Sequence, residues 1–294
     1  MTCPSGFAIY LSTCDSYSDC WIPFISLFTT YWPNYQGVVY LSSEYKDTGE
    51  LFSRVKPMKI CSSRNISPTK RIPWSLFTRW ALEAIPHDII LFLQEDFFLR
   101  GPVDEIAIEN FVKLMTEHPE IKCIHLTDQC GKGSIPSPFP HLDQMLTKRP
   151  YRISCQAALW RKEELLSILR DKENAWEFEI FGSSRSGALG SLYLCVSSDY
   201  VQLGGHEIIP YIFTGIIKGK WNREVPALFE AHGITMDFSK RGFFNPKDYS
   251  RGVNNRFNLD RFLKRIVNRM DIIFSILIPR WWSRFIKLFS GTQK

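Results

Sequence analysis

Two acids stand between apolar runs in IILFLQEDFFL, residues 89–99: Glu95 and Asp96 follow Gln94, and Phe97, Phe98 and Leu99 come after them. A carboxylate held away from water without a partner is costly, so such a pair takes a cation, a metal, or an edge that water reaches. At a strand end, two carboxylates can hold a hard divalent ion, Mn2+ or Mg2+, and leave positions open for diphosphate oxygens. An ordinary wet surface turn would use the same residues. Further along, ENAWEFEIFGS at 173–183 carries more acids. If it is extended, Glu177 and Glu179 share one face, opposite Trp176, Phe178 and Ile180; if it is helical, Glu173 and Glu177 share one. A carboxylate walled by aromatic rings ionises late, which suits a general base.

Other residues suit a nucleotide. Asp15, Tyr17 and Asp19, in the loop STCDSYSD at 12–19, could hydrogen-bond and stack on a base. Arg64, Lys70 and Arg71 precede Trp74 and could face a diphosphate, although a surface basic cluster reads the same way. Lys218-Gly219-Lys220-Trp221 puts two cations beside a glycine and could close over phosphate. His206, after Gly204-Gly205, is a candidate late metal ligand, and equally a structural histidine. The chain contains no GxxxxGK[ST], GxSxG, HExxH or post-strand GxGxxG, which leaves P-loop, hydrolase, zincin and dinucleotide readings without support.

These residues need elements to hold them. Phe7–Leu11, Gly37–Leu41, Met58–Cys61, Ile89–Leu93, Lys122–Leu126 and Leu189–Val196 read as strands. Cys20–Trp32, Ser75–Ile85, Ile106–Glu117 and Lys162–Leu169 read as helices. Residues 131–140 read as a Gly/Pro/Ser-rich loop. Strands that are continuous apolar runs, alternating with helices, predict an α/β fold with a mostly parallel central sheet flanked by helices. In such sheets ligands sit beyond the carboxyl ends of the strands, where Asp15 and Glu95-Asp96 fall.

The chain has 294 residues, 45% of them apolar, enough for a substantial core. Its eight cysteines form no CxxC pair and are read as reduced thiols. The first basic residue is Lys46, so no secretory leader is expected. The longest unbroken apolar candidate, Ile272–Ile278, includes Ser275 and is too short to span a bilayer. Residues 256–294 carry nine Lys or Arg against Asp260 and Asp271, which leaves the rest of the chain near neutral. In that tail Phe257, Phe262, Ile266, Val267, Met270, Ile273 and Phe274 follow near-helical spacing, with Trp281-Trp282 beyond Pro279. A basic amphipathic helical segment with tryptophans suits an anionic membrane surface; a helix packed on the domain with its bases in water is the other reading. Nucleic acid is not an expected partner, because the bases are confined to the tail without a recognition motif. We therefore expect one catalytic domain over 1–245 and an appended tail over 246–294.

LFLQEDFFL at 91–99, SCQAALWRKEELLSIL at 154–169, ENAWEFEIFGS and PYIFTGIIKGKW at 210–221 together resemble bacterial glycosyltransferases of the GT-A type, which build capsule or lipopolysaccharide (O-antigen) chains. The resemblance covers roughly residues 5–245. It implies a GT-A-like, Rossmann-like fold and transfer of a sugar from a nucleotide-sugar donor, a UDP-sugar as first choice, to a hydroxyl of a glycan or lipid-linked glycan. Gln94-Glu95-Asp96 takes the place of the family's DxD-like motif, which implies Asp96 as metal ligand and Glu95 as a donor contact and second ligand. Gln94 stands where that motif has its first acid. The loop at Asp15 corresponds to the base-binding loop. Inverting members place a carboxylate base in the region of ENAWEFE, which implies Glu177 as first choice and Glu179 as second. The tail would then place a cytoplasmic enzyme peripherally on the inner face of the membrane. A metal-dependent nucleotidyltransferase, or a non-catalytic membrane-associated scaffold of the same fold, are the alternatives.

Overall fold

The computed structural model describes residues 6–49, 54–127, 133–202, 205–248 and 259–281. Nine strands form one sheet: β1 (Ala8–Ser12), β2 (Val39–Leu41), β3 (Val55–Pro57), β4 (Ile89–Gln94), β5 (Ile121–His125), β6 (Ser134–Pro136), β7 (Leu142–Met145), β8 (Ala158–Arg161) and β9 (Leu192–Val196), in spatial order β3-β2-β1-β4-β8-β5-β9-β7-β6. β1 to β4 are mutually parallel, as are β5 and β9. β8 is wedged antiparallel between β4 and β5, and β7 also runs against the common direction. The result is a mixed α/β fold around a large, mostly parallel sheet.

The strands' period of two sorts their side chains onto two helical layers. Ile9 and Leu11 of β1 and Ile89, Leu91 and Leu93 of β4 join one core with α1 (Trp21–Tyr31) and α4 (Glu105–Glu117). Ala8, Tyr10, Ile90 and Phe92 join the other, on the face of α3 (Trp74–Ala84) and α5 (Lys162–Ile168). Helix starts follow local chemistry. Asp104 caps α4 by accepting from Ala107 N at 3.0 Å, and Asn174 with Glu177 forms a reciprocal capping box at α6 (Ala175–Glu177). From α6 the chain continues through a π-helical turn, Phe178–Gly182, into α7 (Ser183–Leu189).

Three boundaries differ from the sequence reading. The strand expected at Met58–Cys61 lies earlier, at Val55–Pro57; Lys59 takes a left-handed φ of 46° and turns Ile60–Ser63 into the short helix α2. Leu189 ends α7 and Gly190, at φ 65°, caps it, so the last parallel strand begins only at Leu192. The 131–140 loop contains β6.

Beyond β9 come a two-stranded hairpin of β10 (Ile216–Ile217) and β11 (Lys220–Trp221), and α8 (Val225–Ala231). The C-terminal part of the described chain is α9 (Leu259–Asp271) followed by a π-helical turn, Ile272–Leu277. It packs by its polar side: Lys264 Nζ meets Glu177 Oε1 at 2.8 Å, Arg185 Nη1 donates to Asn268 Oδ1 at 2.9 Å, Arg170 Nε donates to Asp271 Oδ2 at 2.8 Å and Arg280 donates to Ala188 O at 2.8 Å. Its apolar side faces out. Leu263, Ile266, Val267, Met270, Ile273, Phe274, Leu277, Ile278 and Trp281 form one stripe, each between 41% and 67% exposed. This inverts the usual arrangement, in which the apolar stripe faces the core. No helix among the described residues is long and apolar enough to cross a membrane. Phe257, Trp282 and the residues after it lie outside the described chain.

Candidate active site

Glu95 and Asp96 form the turn directly after β4, at the carboxyl edge of the sheet. They are nevertheless shielded, at 8% and 5% exposure. The segment that shields Asp96 comes from far along the chain. Thr214 Oγ1 donates to Asp96 Oδ2 at 2.6 Å, Ile216 N donates to the same oxygen at 3.0 Å, and Gly215 N donates to Asp96 O at 2.9 Å. The contact requires glycine at 215: a Cβ there would lie 2.3 Å from the Phe98 ring and 2.8 Å from Asp96 O. Among the described residues, Asp96 Oδ1 is buried with no hydrogen-bond partner, and no ion pair involves Glu95.

Burial, then the adjacent charge of Asp96, holds the Glu95 carboxyl well above the usual carboxylate range. Burial also raises Asp96, opposed by the bonds from Thr214 and Ile216. Two neighbouring carboxyls in this state either keep a proton or ionise around a shared cation. No group of three or more His, Cys, Asp or Glu side chains that could hold a metal occurs among the described residues. Ions such as Mg2+ are commonly held by one or two carboxylates and completed by water and substrate phosphates. The orphaned Asp96 oxygen and the unmatched Glu95 fit that kind of open site, with Asp96 and Glu95 as the protein ligands.

The raised pKa values have a consequence for stability. The folded state keeps protons on these carboxyls to higher pH than the unfolded chain, so their contribution falls as pH climbs from the unfolded value through the folded one. Glu95→Gln removes the larger share. Its gain in Tm is expected to grow as pH climbs above the unfolded glutamate value and to vanish toward about pH 3, where both states are protonated; thermal melts from acid to neutral pH check it. A constant gain at all pH values would contradict the assignment.

The loop after β1 forms the neighbouring rim. Asp15 does not present its carboxylate to an open site: Oδ1 accepts from Glu44 N at 2.9 Å, and Oδ2 accepts from Tyr45 N at 3.0 Å and Lys46 N at 3.1 Å. It ties this loop to the one after β2. Tyr17 is half-buried, with the Arg241 guanidinium 4.5 Å from its ring centroid. Arg241 in turn grips Asp19 through two bonds of 2.7 and 2.6 Å and Ser16 O at 2.8 Å. Its charge reaches both Glu95 and Asp96 and pulls their pKa values down. Arg241 had no signal in the sequence, since it stands 222 residues from Asp19.

The remaining candidates divide. Lys218 and Lys220 lie on the β10–β11 hairpin, whose two-residue turn has φ of 52° at Lys218 and 81° at Gly219, as a tight primed turn requires. The hairpin starts at Ile216, so it grows from the segment that clasps Asp96. Arg64 stacks 4.7 Å over Trp80 and pairs with Glu83 at 3.2 Å, both on α3. Arg71 is exposed in the loop before α3, whose first residue, Trp74, lies 5.4 Å from Phe178. His206 sits 3.6 Å from Asp104 at the start of α4 and against Tyr200, not beside the acid pair.

Glu177 and Glu179 are on a helix, so the extended alternative does not hold. Both Glu177 oxygens are engaged, Oε2 by Asn174 N at 3.1 Å and Oε1 by Lys264 at 2.8 Å. Glu179 lies in the π-helical turn, a distortion that is frequent at functional sites. Its Oε1 accepts from Cys155 N at 2.8 Å, and burial raises its pKa. The strand entry at Cys155 leads back to the acid pair. Tyr211 Oη donates to Gln156 Oε1 at 2.8 Å, and the Tyr211 ring stacks 4.5 Å from that of Phe97, the neighbour of Asp96.

No protein family matches the sequence, and no curated protein matches it. Solved structures with a related chain path exist. TarS 1–349 of S. aureus, in complex with UDP, is 13% identical with a TM-score of 0.40 over 66% of this chain and 61% of that one. GalNAc-T7, with UDP, GalNAc and Mn2+, is 11% identical with a TM-score of 0.42 over 65% and 41%. Glucosyl-3-phosphoglycerate synthase from Mycobacterium tuberculosis, with Mn2+ and UDP-glucose, is 12% identical with a TM-score of 0.43 over 80% and 82%. The chain thus spans 61% of the length of TarS 1–349.

Proposed function

We propose that this chain is a glycosyltransferase that moves a sugar from a nucleotide-sugar donor, a UDP-sugar as first choice, to a hydroxyl of a glycan or lipid-linked glycan. One observation carries the reading: a buried carboxylate pair at the carboxyl edge of a mostly parallel sheet, with one Asp96 oxygen that has no partner among the described residues. That is the chemistry of a site completed by a divalent ion and a diphosphate. Bound between Asp96, Glu95 and the diphosphate, Mn2+ or Mg2+ would neutralise charge on the departing nucleoside diphosphate.

The protein's own residues do the rest. Thr214 and Ile216 fix the Asp96 carboxylate and Gly215 its backbone carbonyl, so the site needs no reorganisation when charge develops. Tyr17, with Arg241 behind it, offers a ring for the base to stack on. Lys218 and Lys220 stand on a hairpin that continues from the Asp96 clasp, which supports a role for them on the donor's phosphates. Glu179 takes the proton from the acceptor hydroxyl as that oxygen bonds the anomeric carbon, whose bond to the diphosphate oxygen breaks on the opposite side. We assign the base to Glu179 and not Glu177, because Glu177 spends both oxygens on its helix cap and on Lys264. His206 and Arg64 have no part in this proposal, given their partners on α4 and α3. The outward apolar stripe on a basic segment supports a peripheral place on an anionic membrane surface, where polysaccharide is assembled on a lipid carrier.

The test is calorimetric titration with UDP, GDP, CDP and dTDP, each with and without Mn2+. We expect one nucleotide, UDP, to bind only with the metal, and Asp96→Asn to lose that metal-dependent binding while keeping the fold. Binding that is indifferent to metal and to Asp96→Asn would refute the carboxylate assignment, and no binding of any nucleotide by folded protein would refute the enzyme.

A further inference from the structure

A cavity of about 660 Å3, partly open to solvent, lies beside the helical segment that follows Glu179, walled by the 147–151 loop, the Ile180–Ala188 segment and Leu277. Its walls are of two kinds. Lys148 and Arg149 supply cations, with Ser183 beside them, and no carboxylate lines the space among the described residues. Tyr151, Ile180 and Leu277 supply large, exposed apolar surface. Leu277 belongs at once to this cavity and to the outward apolar stripe of the C-terminal helix, so the cavity opens onto that stripe. The base is built into the same wall: Ile180 follows Glu179, and Ser183 Oγ donates to Glu179 O at 2.5 Å while accepting from Ile153 N at 2.9 Å. The wall is also tightly fitted, since a Cβ on Gly187 would lie 2.3 Å from Thr147 O.

Cationic and large apolar side chains line the same space, without a carboxylate among the described residues, and the space adjoins the exposed apolar stripe at Leu277; such a lining suits an amphipathic anion. We propose that this cavity holds the phosphate-bearing head of a lipid-linked acceptor, with Lys148 and Arg149 on the phosphate and Tyr151, Ile180 and Leu277 on the first part of the lipid chain. Its volume lies within the range of ordinary ligand pockets, on the order of 300–1,000 Å3. The inference rests on the glycosyltransferase reading only in calling the ligand an acceptor; the lipid site itself stands on the cavity. It gives the enzyme a second recognition element, separate from the donor site, that brings the carrier in from the membrane plane to the helix of Glu179.

The experiment is co-sedimentation of the full chain with phosphatidylcholine vesicles that carry either a long-chain polyprenyl phosphate or a charge-matched amount of phosphatidylglycerol. Preferential binding to the polyprenyl phosphate vesicles is expected. Lys148→Gln and Arg149→Gln should each weaken that binding by about fivefold, the worth of one cation near an anionic surface. Tyr151→Ala, on the exposed rim, should weaken it without touching charge. UDP titration with Mn2+ on the same variants should be unchanged, which shows that they are folded. Equal binding of the native chain to both vesicle types, or retention of the preference in all three variants, would overturn the proposal and leave the stripe as a general membrane adhesive. Loss of UDP binding in the native chain with the lipid preference intact would instead sink the transferase reading and leave the lipid site standing.

Discussion

Glu179→Gln lowers kcat by about 10²- to 10⁴-fold, the usual worth of a positioned general base, and leaves metal-dependent nucleotide affinity unchanged. The amide keeps the shape of the carboxylate and can still accept from Cys155 N, so the helix and the strand entry stay in place. What is lost is the ability to take a proton. Glu177→Gln separates the two acids: the amide can keep the capping box, the charge pair with Lys264 is lost at a cost of up to about 1 kcal/mol, and kcat is expected to be spared. Because burial raises the Glu179 pKa, an acid limb of the kcat/KM profile is expected above the ordinary glutamate range, with activity falling as pH drops through it. A kinetic comparison in which Glu177→Gln and not Glu179→Gln loses turnover would reverse the assignment.

Arg185→Ala destabilises the fold by about 3–5 kcal/mol, since it leaves a buried carboxylate without its partner. Arg185 is 1% exposed. Its fork meets Glu173 Oε1 at 2.8 Å and Oε2 at 2.6 Å, while Nη1 also reaches Asn268 Oδ1 at 2.9 Å and Nε reaches Ile168 O at 2.9 Å. One side chain therefore binds together the segment before α6, the end of α5 and the C-terminal helix. Urea melts give the loss of stability, and limited proteolysis should show α9 cut sooner. Removing both charges, with Glu173→Leu and Arg185→Met, should restore most of the lost stability, because neither ion then has to be desolvated. If the double variant were as unstable as Arg185→Ala, lost packing would be the cause and not the orphaned charge.

Much of the sheet is visible in the sequence because buried parallel strands are written as apolar runs; Ile89–Leu93 and Lys122–Leu126 come out within a residue of β4 and β5. Strand direction is another matter. A short apolar run reads the same in either sense, so nothing in ALWR announces that β8 runs antiparallel between two parallel neighbours. The acid pair was legible from its setting between apolar runs. Its clasp by Thr214–Ile216 and the reach of Arg241 were not, because both depend on pairs more than a hundred residues apart. The capping role on which the proposal for Glu179 over Glu177 rests has a trace in the sequence, since Asn174 three residues before Glu177 is a helix-capping signature. Amphipathicity of the C-terminal helix was equally plain, but a helical wheel does not say which side meets the protein. That was decided by Glu177, Arg185 and Arg170, polar groups on a distant segment that recruit Lys264, Asn268 and Asp271.

The wedge strand has a consequence for how the chain is made. β4 and β5 follow one another along the chain, yet each hydrogen-bonds to β8 and not to its successor. Until residues 158–161 leave the ribosome and insert, the growing polypeptide carries two unfinished sheet edges, the kind of surface on which nascent chains stick to one another. Closing the gap means joining segments far apart in sequence, which is slow because loop entropy is lost before any contact rewards it. The rim is finished later: Tyr211, which joins Gln156 to Phe97, and the Thr214–Ile216 clasp on Asp96 lie fifty or more residues beyond the wedge. Closure of the sheet during synthesis therefore precedes completion of the acid-pair site.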